Sequence, residues 1–266
     1  MNRLHEFPWF RARPAFAIPG LLALAAALAA AALAISSPAL ADRGAINLGF
    51  GDCAAAGSST AGITNACVSN NGSIVLYGSF IPPQPMPKFL GFDHGAVDVF
   101  TSGTTLSPWW HMETGGCRAG RISISFDFTS GPGTCTDFFA GQAVGGMDYG
   151  LNQAGLGANT VRIRMLAAVG DSGLISPGNE YYAFAIHILK IQSTGPGSCA
   201  GCLDKACFVF SNLILVQPTL PSGAVESIVT QGSQSVVTYN GGVSGSACAG
   251  ANVQKGSWGS IKAIYR

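Results

Sequence analysis

Charge is what this chain has least of. Asp, Glu, Lys and Arg make up 10% of its 266 residues, against roughly a quarter in an ordinary soluble protein. The deficit excludes disorder driven by high charge. Formal charge is +1, so no electrostatic field draws the protein to nucleic acid or to anionic lipid. Glutamate is scarcer still: beyond residue 41 there are Glu113, Glu180 and Glu226, a poor supply for a glycosidase that needs two carboxylates facing one another across a sugar. No apolar run of membrane-spanning length follows residue 35, so beyond that point the chain is expected to be soluble. An Arg-Arg pair is also lacking at the N-terminus, which excludes a twin-arginine signal.

The N-terminal 41 residues instead carry the three parts of a general secretory signal. Arg3, Arg11 and Arg13 lead, an Ala/Leu-rich run spans residues 21–35, and Ala39-Leu40-Ala41 supplies a small-x-small cleavage site. Residues 15–35 would also be long enough for a membrane anchor, but Pro19, Gly20 and the Ser36-Ser37-Pro38 break favour cleavage. Membrane contact is expected only through this segment, and only if it is retained. Losing Arg3, Arg11, Arg13 and Glu6 leaves 11 basic and 12 acidic residues, a formal charge of −1. The expected organisation is a signal over 1–41, one domain over 42–256 and an amphipathic tail over 257–266. In that tail Trp258, Ile261, Lys262 and Tyr265 share a face at helical spacing.

Between signal and tail the patterns are those of strands. Residues 73–81 are rich in β-branched and aromatic side chains and stop at Pro82-Pro83. Residues 121–128 alternate, with Ile122, Ile124, Phe126 and Phe128 on one face and Arg121, Ser123, Ser125 and Asp127 on the other. Residues 161–169 and 181–191 read the same way, the second opened by a Pro177-Gly178-Asn179 turn. In the second, Tyr182, Phe184, Ile186 and Ile188 fall on one face. Tyr181, Ala183, Ala185 and His187 fall on the other, suited to lie under a loop. Residues 208–216 form an apolar run suited to a central strand. With 36 glycines and 14 prolines between such segments, the expected fold is all-β, an antiparallel β-sandwich of jelly-roll kind.

Eight cysteines all lie beyond the signal, and an even number in an exported chain reads first as disulfides. Spacing favours the short loops Cys53–Cys67 and Cys117–Cys135. Cys199, Cys202, Cys207 and Cys248 are left without a unique pairing. Those four would also suit a tetrathiolate zinc site, but an oxidising compartment favours disulfides, and no metal or other cofactor is expected. A thioredoxin-like role for Cys199 and Cys202 is disfavoured by the Gly/Ser-rich loop that carries them. Leu203 excludes haem attachment.

Chemistry-bearing residues are few. Pro108-Trp109-Trp110-His111 is the best recognition candidate, because in an extended segment one tryptophan can fill the core while its neighbour stays out, free to stack on a sugar or anchor a partner; the favoured alternative buries both, the second under a loop. Trp109, Trp110, His111 and nearby Glu113 are therefore the candidate binding residues. Phe138-Phe139 is expected to pack beside a disulfide. His94, with Asp93 and Asp98, forms a conceivable divalent-metal cluster that reads better as a loop. Gly170-Asp171-Ser172-Gly173 is similar to a serine-protease nucleophile loop, but Leu174 stands where that motif has glycine, and a β-turn is expected instead.

Several segments together resemble a group of exported bacterial proteins of unassigned function. They are Asp52-Cys53, Pro108-Trp109-Trp110, Cys135-Thr136-Asp137-Phe138, Glu180-Tyr181-Tyr182-Ala183-Phe184 and the ending Trp258-Gly259-x-x-Lys262-x-x-Tyr265-Arg266. The resemblance implies export and a β-rich fold and carries no activity. The expected function is that of a structural or binding module, secreted, periplasmic or on the surface of a bacterium, whose partner is a protein or glycan surface. Alternatives are carbohydrate binding through Trp109 or Trp110, a hydrolase built on Glu113 or Ser172, and a fibre subunit joined through an edge strand. The secreted protein should have an intact mass beginning at Asp42 that rises by eight protons on reduction. An N-terminus before residue 41 or free thiols would contradict the signal and the disulfides respectively.

Overall fold

The computed structural model describes residues 44–54, 60–219, 223–228, 230–231, 235–242 and 248. The expected signal and the 257–266 tail lie outside the described residues. The chain divides into two units, Met1–Leu40 and Ala41–Arg266, and every described residue belongs to the second.

Strands dominate. They are β1 (Ala45–Phe50), β2 (Gly62–Ile63), β3 (Ser73–Ile81), β4 (Met86–Thr101), β5 (Ile122–Ser125), β6 (Val144–Leu151), β7 (Thr160–Ile175), β8 (Tyr181–Leu189), β9 (Ala206–Thr219), β10 (Gly223–Ile228), β11 (Thr230–Gln231) and β12 (Val236–Tyr239). One sheet runs β11-β1-β3-β8-β5; the other runs β2-β12-β9-β4-β7-β6, with β10 beside β9. We call these sheets A and B. The expected all-β, disulfide-stapled sandwich is what forms. Among the described residues no helix is long and apolar enough to cross a membrane.

The topology follows from where the chain turns. Only the links β6–β7 and β9–β10 join neighbours in one sheet; every other described connection passes between sheets. The crossing β3–β4 runs through Pro82 and Pro83, which cannot donate to a ladder and so end β3 at Ile81. The crossing β7–β8 uses the expected turn, with the Asn179 amide donating to Ser176 O at 3.4 Å. Because β3 pairs antiparallel with β8 and β4 with β7, the two crossings nest, as in a rolled hairpin. Between the sheets, side chains meet as Phe184 on Phe210, 5.1 Å between ring centroids, Phe80 on Phe89 at 5.7 Å and Phe50 on Phe208 at 5.9 Å. Burying these rings supplies the main driving force, roughly 1.5–3 kcal/mol for each side chain taken fully out of water.

Two strands depart from simple alternation. In β8, Gly78 pairs with Phe184 but Ser79 with Tyr182, so Ala183 is an extra residue. This bulge moves Tyr182 off the face of Phe184. Tyr182 instead stacks on Phe128 at 4.6 Å and lies 6.0 Å from Tyr77, on the outside of sheet A. Phe126 and Phe128 do not share a face either. The chain leaves the sheet after Ser125, sending Phe126 inward against Phe92 and Phe128 outward. In β7 the expected turn at residues 170–173 is absent, since the strand continues through it to Ile175 as an exposed extension paired with β4 at Phe89↔Gly173.

All eight cysteines are bridged, but not as spacing suggested. The pairs are Cys53–Cys135, Cys67–Cys202, Cys117–Cys199 and Cys207–Cys248, spanning 82, 135, 82 and 41 residues. This replaces the expected Cys53–Cys67 and Cys117–Cys135 loops. Sheet crossing is the reason: loops far apart in sequence emerge together, so a distant cysteine is the nearer one in space. Loops of this length restrain the unfolded chain by about 4–5 kcal/mol each on the loop-entropy model. The bridges place the described chain in an oxidising compartment, extracellular or periplasmic.

A non-reducing peptide map should therefore show Cys117 linked to Cys199 and Cys67 to Cys202. The double variant Cys117→Ser, Cys199→Ser should lose about 2–4 kcal/mol in urea unfolding. A peptide joining Cys53 to Cys67 would refute this connectivity.

Candidate functional site

The Trp-Trp segment folds inward as a unit. Ser107 is extended, Pro108 presets the backbone angle, and residues Pro108–Trp110 form one 3-10 turn. Successive side chains on such a turn diverge by about 120° rather than the 180° of a strand. Both indoles can then enter the same core, and Trp109 and Trp110 are 0% and 1% exposed. Of the two readings, burial of both tryptophans is what forms, and the rings offer no exposed sugar platform.

What gathers around them is a plug closing one end of the sandwich. Tyr239 stacks on Trp109 at 5.7 Å and meets Trp110 edge-on at 5.4 Å, and Trp110 touches Phe208. The Trp109 indole N–H donates to Ser193 Oγ at 3.3 Å. Arg118 is fully buried, its guanidinium carbon 3.7 Å from the centre of the Trp109 ring. It donates to the carbonyls of Trp109 at 3.1 Å, Ile191 at 3.2 Å and Leu189. Burial pulls its pKa down to about 10, leaving it charged at neutral pH. The Tyr149 hydroxyl donates to Trp110 O at 2.5 Å. Burial, with the charge of Glu113 as a lesser cause, pushes its pKa far above the ordinary phenol range and keeps it a donor.

Two disulfides pin this plug. Cys117–Cys199 adjoins Arg118, and Cys67–Cys202 lies where Tyr239 donates to Cys202 O at 2.9 Å and Asn65 donates to the Tyr239 hydroxyl at 2.8 Å. His111 and Glu113 sit half-buried at the rim, paired through Nδ1 and Oε1 at 2.7 Å. The four residues singled out from sequence are thus brought together, but the tryptophans serve closure. Phe138 and Phe139 pack as expected, Phe138 4.8 Å from Phe89.

The segment around His94, expected to be a loop, belongs to β4 and lies on the outside of sheet B. At residues 93–96 of β4, register slips against both β7 and β9. The slip leaves His94 left-handed, at φ 50°, with its imidazole 69% exposed. Asn212 holds the backbone by donating to His94 O at 2.8 Å, and Asp93 lies 3.0 Å from the ring. The expected partner Asp98 is elsewhere: it is buried and gripped at both oxygens by Arg162, at 2.6 and 2.8 Å. Among the described residues no three His, Cys, Asp or Glu side chains converge as metal ligands.

His94 lies in a surface trough, where it lines both a recess of about 490 Å³ with Asp148 and Arg164 and one of about 300 Å³ with Arg162 and Asn212. Asp93 and Leu166 separate the larger of these from an apolar recess of about 310 Å³ with Leu90 and Val216. Leu166 is 53% exposed and nearby Val144 80%. Exposed apolar groups beside fixed charges of both signs make a surface able to recognise a partner. The signals legible in sequence were the Asp93-His94-Gly95 break and Asn212; no local pattern joins them to Arg164, which the neighbouring strand β7 brings in from far along the chain. Ser172, the other hydrolase candidate, lies on the exposed extension of β7. Compared with protein-family models, curated proteins and solved structures, the chain matches none.

The plug makes a measurable claim. Arg118→Met should destabilise the protein by about 3–5 kcal/mol in urea, because three carbonyls, that of Trp109 buried, lose their donor and Trp109 loses its cation. A loss below about 1 kcal/mol would show the guanidinium to be dispensable.

Proposed function

We propose that the protein is an exported binding module of a bacterial envelope or its surroundings, which docks a protein surface through the trough around His94. The observation that carries this reading is His94 itself. A non-glycine residue held at positive φ on a bulge is sustained against a local penalty of order 1 kcal/mol, and glycine would occupy the position without it. Bulges re-aim side chains, and this one presents an exposed imidazole to two recesses that hold Asp148, Arg162 and Arg164, with an apolar recess next to the larger one. The mixture suits a protein partner better than a glycan, since exposed Leu166 and Val144 gain from apolar contact. The secretory signal, the resemblance to exported bacterial proteins and the four disulfides support the location.

Two variants test it. His94→Gly should keep or raise Tm, with stability within about 1 kcal/mol of the parent or above it. Arg164→Ala removes an exposed side chain that, among the described residues, is bonded to Gln153 alone. Each should weaken sedimentation of the purified protein with envelope fractions by about tenfold, and proteinase treatment of those fractions should abolish it. Unchanged association of both variants would refute the trough, and association surviving proteinase would point to a glycan.

A further inference from the structure

We propose that the outside of sheet A carries a second, independent site, which takes a neutral sugar ring in the recess between Tyr77, Asp127, Ser130 and His187. The recess is about 320 Å³, at the lower end of small-molecule sites, roughly 300–1,000 Å³. Its floor is Ala185, a small residue that leaves room between the taller side chains of β3 and β8. One wall is the ring of Tyr77, held by Tyr182 at 6.0 Å and Phe128 at 6.4 Å. Those two stack on each other at 4.6 Å, so the wall is rigid.

The polar groups around this recess have capacity to spare. Asp127 Oδ1 accepts from the Thr129 amide at 3.0 Å and from its hydroxyl at 2.6 Å. Its Oδ2, the Tyr77 hydroxyl, the Ser130 hydroxyl and both His187 nitrogens have no hydrogen-bond partner among the described residues. The two Thr129 bonds hold the Asp127 pKa below the ordinary carboxylate range, so it offers an acceptor. Burial, with nearby Asp52 as a second cause, raises the Tyr77 hydroxyl, which stays a donor. Burial also lowers the His187 imidazole, so that at neutral pH it is uncharged and offers one donor and one acceptor.

Donors and acceptors set around an aromatic face complement a ring with an apolar face and adjacent hydroxyls, each hydroxyl being both donor and acceptor. Among the described residues Asp127 is the only ionised group lining the recess, and no cation lines it. Phosphate, sulfate and carboxylate ligands are therefore disfavoured. The bulge at Ala183 creates the site by turning Tyr182 outward, where it braces Tyr77 and, through its hydroxyl, Asp52 at 2.6 Å.

The test is a titration of the disulfide-intact protein with glucose, galactose, mannose and N-acetylglucosamine in the millimolar range, followed by amide chemical shifts. Saturable shifts at Tyr77, Asp127, Ser130 and His187 are expected from at least one sugar. Asp127→Asn keeps the Oδ1 acceptor that orders Thr129 and should weaken binding about tenfold. Ser130→Leu, at an exposed position, should fill the recess and abolish it. No saturable shift with any of the four sugars would overturn the proposal, as would equal binding by both variants or shifts confined to the His94 trough. Inorganic phosphate binding in the recess more tightly than any of the sugars would overturn it too. None of these outcomes bears on docking through His94, which the envelope assay reads separately.

Discussion

Three backbone carbonyls, those of Trp109, Leu189 and Ile191, converge on the guanidinium of Arg118, and the closed end of the sandwich depends on that convergence. A two-sheet fold whose connections pass between layers must bury loop backbone at its ends, and each buried carbonyl without a donor is costly. One side chain with five N–H donors in a fixed fork can satisfy several carbonyls at once, which a lysine cannot match. The Trp109 face offsets part of the price of burying the charge. Around this knot the segments bearing Cys67, Cys117, Cys199 and Cys202 lie side by side, and the two disulfides link them.

The outer faces owe their character to irregularity. Regular strands would have placed Tyr182 in the core and left residues 93–96 flat. A single extra residue, Ala183, instead turns Tyr182 outward onto Phe128 and brings the Asp52 carboxylate under its hydroxyl. A slip in β4 lifts His94 out of the ladder while Asp98, further along the same strand, stays buried in its ion pair. Both devices change what a face presents without disturbing the core beneath, where Phe184 and Phe210 remain packed. A protein with so few charges gains specificity from such local geometry, because a broad electrostatic field is not available to it.

Much of the fold was legible along the chain. Residues 73–81 form β3 with the expected limits, and the turn at Pro177-Gly178-Asn179 opens β8 as its chemistry requires. Strand signals survive because alternation and β-branching act over a few neighbouring residues. The Gly170–Gly173 segment failed for the converse reason: its turn composition was overridden by pairing with β4. The candidate site was legible only in part. Trp109, Trp110, His111 and Glu113 do cluster, yet the 3-10 turn that puts both indoles inside depends on Pro108 acting together with the surrounding Arg118, Tyr239 and Phe208.

By itself the sequence determined an all-β chain, the positions of its main strands and the presence of enough cysteines for an oxidising compartment. Cysteine partners, tryptophan burial and the residues that share each outer face were decided by tertiary structure alone. The reason is physical. Strand formation is governed by periodicity over a few residues, whereas a disulfide or a surface recess requires proximity in space. In a sandwich whose chain crosses between sheets at almost every turn, proximity in space has little to do with proximity along the chain.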